Sequence, residues 1–342
     1  MATTKDGDTK HYEYTDAARP VKRKGGLKRH CARFWWIYVI AFIIAVLAVV
    51  LPLIFVAYPR IAQNGINNAR LVPSAQILRN PAPGAADLTL DSFLLTDSSL
   101  HPDLDSFDAS FYLEGRQEPF ITATIPAIKA ENGTVARIQQ RIQITNLAEF
   151  TRYTGTLLSA QNFVVYLKGR GGLKQGALPK TNVNYDQRIT LSGLNSLQGL
   201  EITYFRLGED LPYGSNAFGN VTIPNPSVTS ASFGDVTLDL FVDGNPIGNT
   251  TVPDLNLAPG NNSYPLYATV NTTAIAGVLQ SPRYRCGVIN LEIRGNQSVF
   301  DGAVIPYFTQ PLQSSTQRTM FNLTDTLNAA GFGFLVNGTC EA

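Results

Sequence analysis

Hydrophobic residues follow two different patterns along the chain. From Phe34 to Tyr58 they form one run without a charged residue, centred on Ile37 to Leu51. From Leu88 onward they recur in short alternating stretches bounded by turn residues, such as Phe107 to Leu113, Phe120 to Ile125, Val135 to Ile144, Phe163 to Leu167 and Val236 to Val242. The first pattern has the length of a membrane span: 25 residues at a rise of ~1.5 Å cover a hydrocarbon core of ~30 Å with some tilt. Alternation with period two, punctuated by Glu114-Gly115, Asp243-Gly244 and Pro259-Gly260, is the pattern of strands buried on one face. Helices are expected at Leu147 to Ala160 and from Thr272 to Leu279, and a short one within Ile61 to Leu71.

The expected architecture is mainly β, with a single N-terminal transmembrane helix followed by two tandem β-sandwich domains of fibronectin or immunoglobulin type. Residues 1–33 read as a basic cytosolic tail, 34–58 as the transmembrane helix and 59–86 as a connector. Residues 87–212 and 213–342 read as the two β-domains, with their boundary in the Gly- and Pro-containing stretch Gly208 to Asn216. An internal repeat supports the duplication. Phe111-Tyr-Leu-Glu-Gly115 matches Phe241-Val-Asp-Gly244, Thr124-Ile-Pro126 matches Thr251-Val-Pro253, and the stretch Val164 to Gly169 matches Ile289 to Gly295. These anchors keep their order at offsets of 126 to 130 residues.

Charge sets an orientation. The first 33 residues carry nine basic and four acidic side chains, leaving 18 and 22 for the rest. Arg19, Lys22, Arg23, Lys24, Lys28, Arg29 and Arg33 precede the apolar run, whereas only Arg60 and Arg70 fall in the twenty residues after it. The positive-inside rule places the N-terminus in the cytosol and the bulk of the chain across the membrane. Trp35, Trp36, Tyr38 and Tyr58 mark the two interfaces. A cleaved signal peptide fits poorly, because its apolar core is shorter and Phe55 stands where a small residue is needed. The acidic balance of the large part gives no support for nucleic-acid binding.

Candidate modification sites agree with this topology. N-x-Ser/Thr acceptors occur at Asn132, Asn220, Asn249, Asn261, Asn271, Asn296, Asn322 and Asn337, all beyond the apolar run, and Asn225 is excluded by the following proline. Cys286 and Cys340 are a candidate disulfide closing a 54-residue loop, worth roughly 4 kcal/mol on the loop-entropy account, with two free buried thiols as the alternative. Cys31, just before the run, is a candidate for S-palmitoylation.

Reactive chemistry is sparse. The three histidines are His11, His30 and His101, and neither a G-x-S-x-G elbow nor an H-E-x-x-H motif occurs. Asp103, Asp105 and Asp108 do not have EF-hand spacing and read as a solvated strand entry. Gly169-Arg-Gly-Gly172 lacks the Gly-Lys-Ser/Thr of a phosphate loop and reads as a mobile turn after a strand. No catalytic residue, cofactor or metal site is expected.

The stretches Asn225 to Thr229, Phe233 to Leu240, Asn245 to Gly248 and Leu255 to Gly260 resemble the late embryogenesis abundant group 2 domain, in particular its fungal branch. The first copy is similar over Phe150 to Leu158, Phe163 to Gly169 and Val183 to Asn195, so the resemblance covers most of residues 70–342. It implies tandem β-sandwiches on a single-pass anchor, as in fungal proteins that face the vacuolar lumen and include a regulator of the vacuolar proton pump. It also implies lipid as a ligand class, and it carries no catalytic motif. The leading expectation is a non-enzymatic, membrane-anchored lumenal or extracellular binding module for lipid or a membrane-protein partner. The fungal vacuole membrane is the first location, with the plasma membrane or endoplasmic reticulum as alternatives. A structural or regulatory partner of a transporter or proton pump is the second reading, and a glycan-active enzyme with two unrecognised carboxylates the third. A lipid site requires an apolar cleft between the sheets, which sequence does not separate from a filled core.

Overall fold

The computed structural model describes residues 26–336 and 338–340, with side chains from Trp35 onward. His11 and Asn337 lie outside the described portion, as do the side chains of His30 and Cys31. Residues 1–56 and 57–342 are separate compact units. In the first, α1 (Gly26–Pro52) is long and apolar enough to cross a membrane, and no side chain of its apolar window is buried in protein. A π-turn at Leu53–Ala57 follows, between Pro52 and Pro59, neither of which has a backbone N–H to donate.

The second unit opens with α2 (Tyr58–Asn68), which buries Tyr58, Ala62 and Ile66, four residues apart along one face. Its first half continues with β1 (Arg70–Ala82), β2 (Ala85–Leu95), β3 (Asp103–Leu104), β4 (Phe107–Leu113), β5 (Ile121–Ile125), β6 (Ile128–Lys129) and β7 (Val135–Gln143). Helix α3 (Leu147–Ser159), β8 (Asn162–Lys174) and β9 (Thr181–Ser192) complete it. The second half holds β10 (Glu201–Leu207), β11 (Ala217–Asn225), β12 (Thr229–Val242), β13 (Asn245–Leu257) and β14 (Gly260–Val270). There follow α4 (Thr272–Leu279), β15 (Val288–Phe300), β16 (Ala303–Val304), α5 (Pro306–Ser314), β17 (Thr316–Asn322) and α6 (Thr324–Ala329).

The chain is mainly β, and its strand pairing occurs twice in the same order. In the first half β1-β2-β7 form one antiparallel layer and β5-β4-β8-β9 another. In the second half β10-β11-β14 and β13-β12-β15-β17 have the same arrangement. The inward positions alternate, as in the Phe107, Ala109, Phe111 and Leu113 series of β4. Helices α3 and α4 start on asparagine caps. The Asn146 side chain accepts from the Glu149 N–H at 3.2 Å, and that of Asn271 from the Ala274 N–H at 3.0 Å.

Two stretches of the expected domain layout differ from their sequence reading. Within residues 59–86, read as a connector, lie most of α2, all of β1 and the start of β2. Pro73 and Pro81 obscure β1, whose register shifts at both places and which meets β12 only at Gln76 to Leu78, leaving room for prolines. The Gly208 to Asn216 stretch, read as a boundary, is the turn of the β10–β11 hairpin. Glycine and proline mark a tight turn as readily as a linker.

The halves share a strand. On one edge β12 pairs in parallel with β1 (Gln76↔Thr229 to Leu78↔Ala231) and then antiparallel with β15 (Asp235↔Val299 to Val242↔Leu291). Between the two pairings stands Gly234, at φ +70°, where a Cβ would lie 2.1 Å from the Val299 carbonyl oxygen. The buried Gln76 fixes the joint: its amide donates to the Tyr153 hydroxyl of α3, and its Oε1 accepts from Thr229 Oγ1 at 3.4 Å. From the second half, α5 packs on α3. The Tyr307 hydroxyl donates to the Ala85 carbonyl at 3.1 Å, and its ring meets Phe150 edge-on at 5.0 Å.

Glu149, in the first turn of α3, has a side chain only 5% exposed and receives both Nε (2.9 Å) and Nη2 of Arg116. These hydrogen bonds outweigh the opposing effect of burial and hold its carboxyl below the usual glutamate range.

Two outcomes follow from this packing. Thermal unfolding followed by near-UV tyrosine dichroism should show one β-sheet transition for both halves. Gln76→Leu, which strips partners from Tyr153 and Thr229, should lower it by about 1–3 kcal/mol. Two separated transitions would show halves that fold independently. The lowered Glu149 value stabilises the fold above the unfolded-state pKa of about 4.3, and this contribution is lost as pH falls through the lower folded value. Glu149→Gln should therefore be less stable than the parent at pH 7, with the gap narrowing towards pH 3 in denaturant titrations.

Candidate functional site: an inter-sheet cleft

The two halves differ at one seam. In the second half β13 and β14 pair over Gly248 to Thr251, joining the two layers. The corresponding β5 and β7 have no backbone pairing with each other among the described residues: β5 pairs with β4, and β7 with β2. At Thr124, the repeat counterpart of Thr251, the backbone N–H donates instead to the Gln140 side chain at 3.2 Å. A cleft of about 1000 Å³ lies in this half, at the upper end of the ~300–1,000 Å³ usual for small-molecule sites.

Its walls come from α2 and from both layers of the half. Helix α2 supplies Tyr58, Ile61, Ala62 and Ile66, the end of β2 Leu94 and Leu95, and the β2–β3 connection Leu100 and Pro102. Ile125, Ile128 and Ala136 line it from the β5–β7 side, and Phe107, Leu167, Leu173 and Tyr185 from the second layer. Arg70 and Asp97 are the two charged lining residues. Ile61, Leu95 and Leu100 are exposed.

Side-chain hydrogen bonds hold these walls. Gln63 of α2 acts as a strand partner for the free edge of β9, donating to the Asn184 carbonyl at 2.7 Å and accepting from its N–H at 2.9 Å. Gln187 donates to the Ile66 carbonyl at 2.7 Å, and the Gln175 N–H to the Tyr58 hydroxyl at 3.2 Å. In the β2–β3 connection, Ser98 N–H donates to Thr96 Oγ1 (3.2 Å) and Leu100 N–H to Ser98 Oγ (3.1 Å).

The Gly169 to Gly172 stretch, read from sequence as a mobile turn, lies inside β8. Phe107 on β4 and Tyr185 on β9 flank β8, and their rings stack at 4.1 Å and 11° across it. They meet because β8 has no side chain beneath them: a Cβ at Gly169 would lie 2.7 Å from the Phe107 ring, and one at Gly171 2.9 Å. Glycines two apart on one strand face are the sequence signal for such a floor, and the Gly-Arg-Gly-Gly run hid it by resembling a loop.

The sequence-predicted sites lie mostly elsewhere. Cys286 and Cys340 are joined by a disulfide with Cα atoms 4.9 Å apart, linking the segment before β15 to the C-terminal tail. Among the acceptor asparagines Asn132, Asn220, Asn249, Asn261, Asn271 and Asn322 are exposed. Asn296 is half-buried, and its amide donates to the Asp239 carboxylate at 3.1 Å. Asn132 alone of these lines the cleft, where its Oδ1 accepts from Thr96 N–H at 3.2 Å. His101 and Asp103 are exposed, Asp105 pairs with Lys180, and Asp108 accepts from Thr124 Oγ1 at 2.7 Å. No group of three metal-ligating side chains occurs among the described residues.

A family profile described as protein of unknown function (DUF3712) matches residues 118–240, from the β4–β5 turn into β12. No curated protein matches the chain in sequence. Among solved structures, the periplasmic chaperone SfaE is 14% identical over 69% of this chain and 95% of its own, with a TM-score of 0.17. The E. coli chaperone DraB is 11% identical over 73% and 97%, with a TM-score of 0.20. Red sea bream transglutaminase is 13% identical over 74% of this chain but 31% of its own, with a TM-score of 0.24. Scores at this level carry nothing over to this protein.

Gly171→Val tests the floor. Valine suits a strand by propensity, yet here it should destabilise the fold by about 1–3 kcal/mol through overpacking against Phe107. Phe107→Ala should relieve part of that loss, so a double-mutant cycle by chemical denaturation should give a non-zero coupling. Additive losses would show that the ring does not rest on this glycine.

Proposed function

We propose that this chain is a non-enzymatic binding module, anchored by α1, that seats an apolar, lipid-like ligand in the inter-sheet cleft of its first half. The observation that carries the reading is a cleft of about 1000 Å³ lined mainly by apolar side chains, in the half whose β5–β7 seam is unpaired. Chain connectivity supports it, since the wall residues Tyr58, Ile61 and Ala62 follow within five positions of Ala57, the last residue of the π-turn. A tethered site meets membrane-dissolved ligands at high local concentration, so modest affinity suffices.

In this reading the basic N-terminal tail faces the cytosol and residues 59–342 the lumen or exterior, with the fungal vacuole as the first compartment to examine. The Cys286–Cys340 disulfide suits an oxidising compartment. The exposed acceptor asparagines suit glycosylation, and a sugar on Asn132 would stand beside the cleft.

The test uses the full chain in its membrane and a fatty-acyl probe bearing a photoactivatable group. Crosslinked peptides should map to residues 58–71, 94–104 and 125–136. Ala136→Trp, which fills the cleft, should reduce them about tenfold while leaving crosslinks to residues 35–57 unchanged. Crosslinks confined to 35–57 in both proteins would mean that the lipid met is bulk bilayer and that the cleft binds none.

A further inference from the structure

Large apolar side chains that water reaches gather at one end of the first half. The odd-numbered positions of β2 and β7 face outward, and the strand register sets them in rows across the layer. Val72 on β1, Phe93 on β2 and Val135 on β7 form one row, and Leu95 stands beside Arg70 in the row beyond it. All four apolar residues are exposed. Leu95 also lines the cleft, together with exposed Ile61 of α2 and exposed Leu100 of the β2–β3 connection. The outward face of the sheet and the rim of the cleft thus share one apolar margin.

The rest of the same face is polar. Behind the Val72, Phe93 and Val135 row come Asp91 and Arg137, ion-paired at 2.7 Å, then Thr89 and Gln139, then Asp87 and Arg141, ion-paired at 2.8 Å. A face suited to water along most of its length and apolar at one end marks a contact at that end. The six apolar side chains of the margin are few for a second copy of the chain, since a stable protein interface uses about 20–30 residues on each side. A bilayer surface needs no such area, because apolar side chains and an aromatic ring enter it one by one. Connectivity keeps the margin near a bilayer. Val72 lies at most about 30 Å from Ala57, counting the 11 residues of α2 at ~1.5 Å each and the short extended stretch after it at ~3.3 Å each. The charged lining residues Arg70 and Asp97 offset each other, so the contact is apolar in character.

Resting on the reading of α1 as a membrane anchor, we propose that this margin docks the first half on the bilayer surface, with Val72, Phe93, Leu95 and Val135 set among the lipid headgroups. Ile61, Leu95 and Leu100 then bring the rim of the cleft onto the bilayer, and an apolar ligand passes between membrane and cleft without crossing water. Asn132, between β6 and β7 and on the cleft wall, carries no sugar in this arrangement, because a hydrated glycan there would hold the margin off the bilayer.

The experiment places the photoreactive residue p-benzoylphenylalanine at one position at a time in the full chain, reconstituted in phosphatidylcholine vesicles, and measures lipid adducts by mass spectrometry. In place of Phe93 it should give about tenfold more lipid adduct than in place of Gln139, which lies on the same outward face two rows away. Val135 should behave like Phe93, and it is the position used if the Phe93 chain loses the parent's near-UV spectrum. Phe42, in the apolar run of α1, checks the anchor itself. Lipid adducts at Phe42 without an excess at Phe93 or Val135 overturn the docking and leave the anchor standing. No adduct at Phe42 overturns the anchored reading and the docking with it. Crosslinks from Phe93 to a second copy in place of lipid also overturn the docking and make the margin an interface between copies. Phe93→Asp combined with Val135→Asp should slow uptake of the acyl probe from vesicles about tenfold while leaving its crosslinking in detergent micelles unchanged. Equal losses in vesicles and micelles overturn the role in transfer. Peptide mass spectrometry of the chain from its own membrane should find Asn132 bare, and full occupancy of that site overturns the proposal.

Discussion

The fold turns on one strand that serves both halves. Along one edge β12 hydrogen-bonds first to β1 and then to β15, and the exchange happens at Gly234, where a side chain would strike the Val299 carbonyl. Its other edge is occupied by β13 from Ala231 to Val242. Neither half can therefore shift along the strand direction without breaking a ladder that the other half also uses. The buried Gln76, held between Tyr153 and Thr229, places a specific polar requirement at this joint, which an apolar interface would leave free to slip.

A fixed joint explains how two copies of one strand plan diverge. In the second half β13–β14 pairing carries the sheet around from one layer to the other. In the first half the equivalent edge stays open, and the layers are held apart by what lies at their ends: α2 along β9, the shared strand, and α5 against α3. Because the second half bears on α3 through Tyr307 and Thr154, the first half need not close its own seam to stay folded. The cleft is thus a property of the pair.

Sequence patterning reached the elements whose signals are local. The charge-free run produced α1, helices were expected at Leu147 to Ala160 and from Thr272 to Leu279, and the alternation of β4 and β7 was plain. The repeat anchor Thr124/Thr251 lies at the seam where the halves differ, and nothing in those residues says that one pairs with a backbone and the other with a glutamine side chain. Strand β1 stayed hidden because its prolines are tolerated only by an edge that is mostly unpaired, which is a fact about neighbours. The Gly169–Gly172 stretch misled for the same reason: its glycines answer to Phe107, some sixty residues away. The cleft was beyond reach altogether, since its lining residues, taken one by one, look like core.

A cleft forfeits dispersion contacts that a packed core would make across the same space, and among the described residues the Tyr185 hydroxyl and Gln175 Oε1 have no hydrogen-bond partner. A protein without use for the space would gain by larger side chains at Ala62, Ala130 or Ala136, all of which line it. The glycine floor argues the same way, because Gly169 and Gly171 give up strand propensity so that Phe107 and Tyr185 can lie flat against β8. Any molecule that fills the cleft binds the folded state alone, and it therefore stabilises that state in proportion to the logarithm of its concentration over Kd. Occupancy of the cleft by the proposed ligand would in this way be linked to folding.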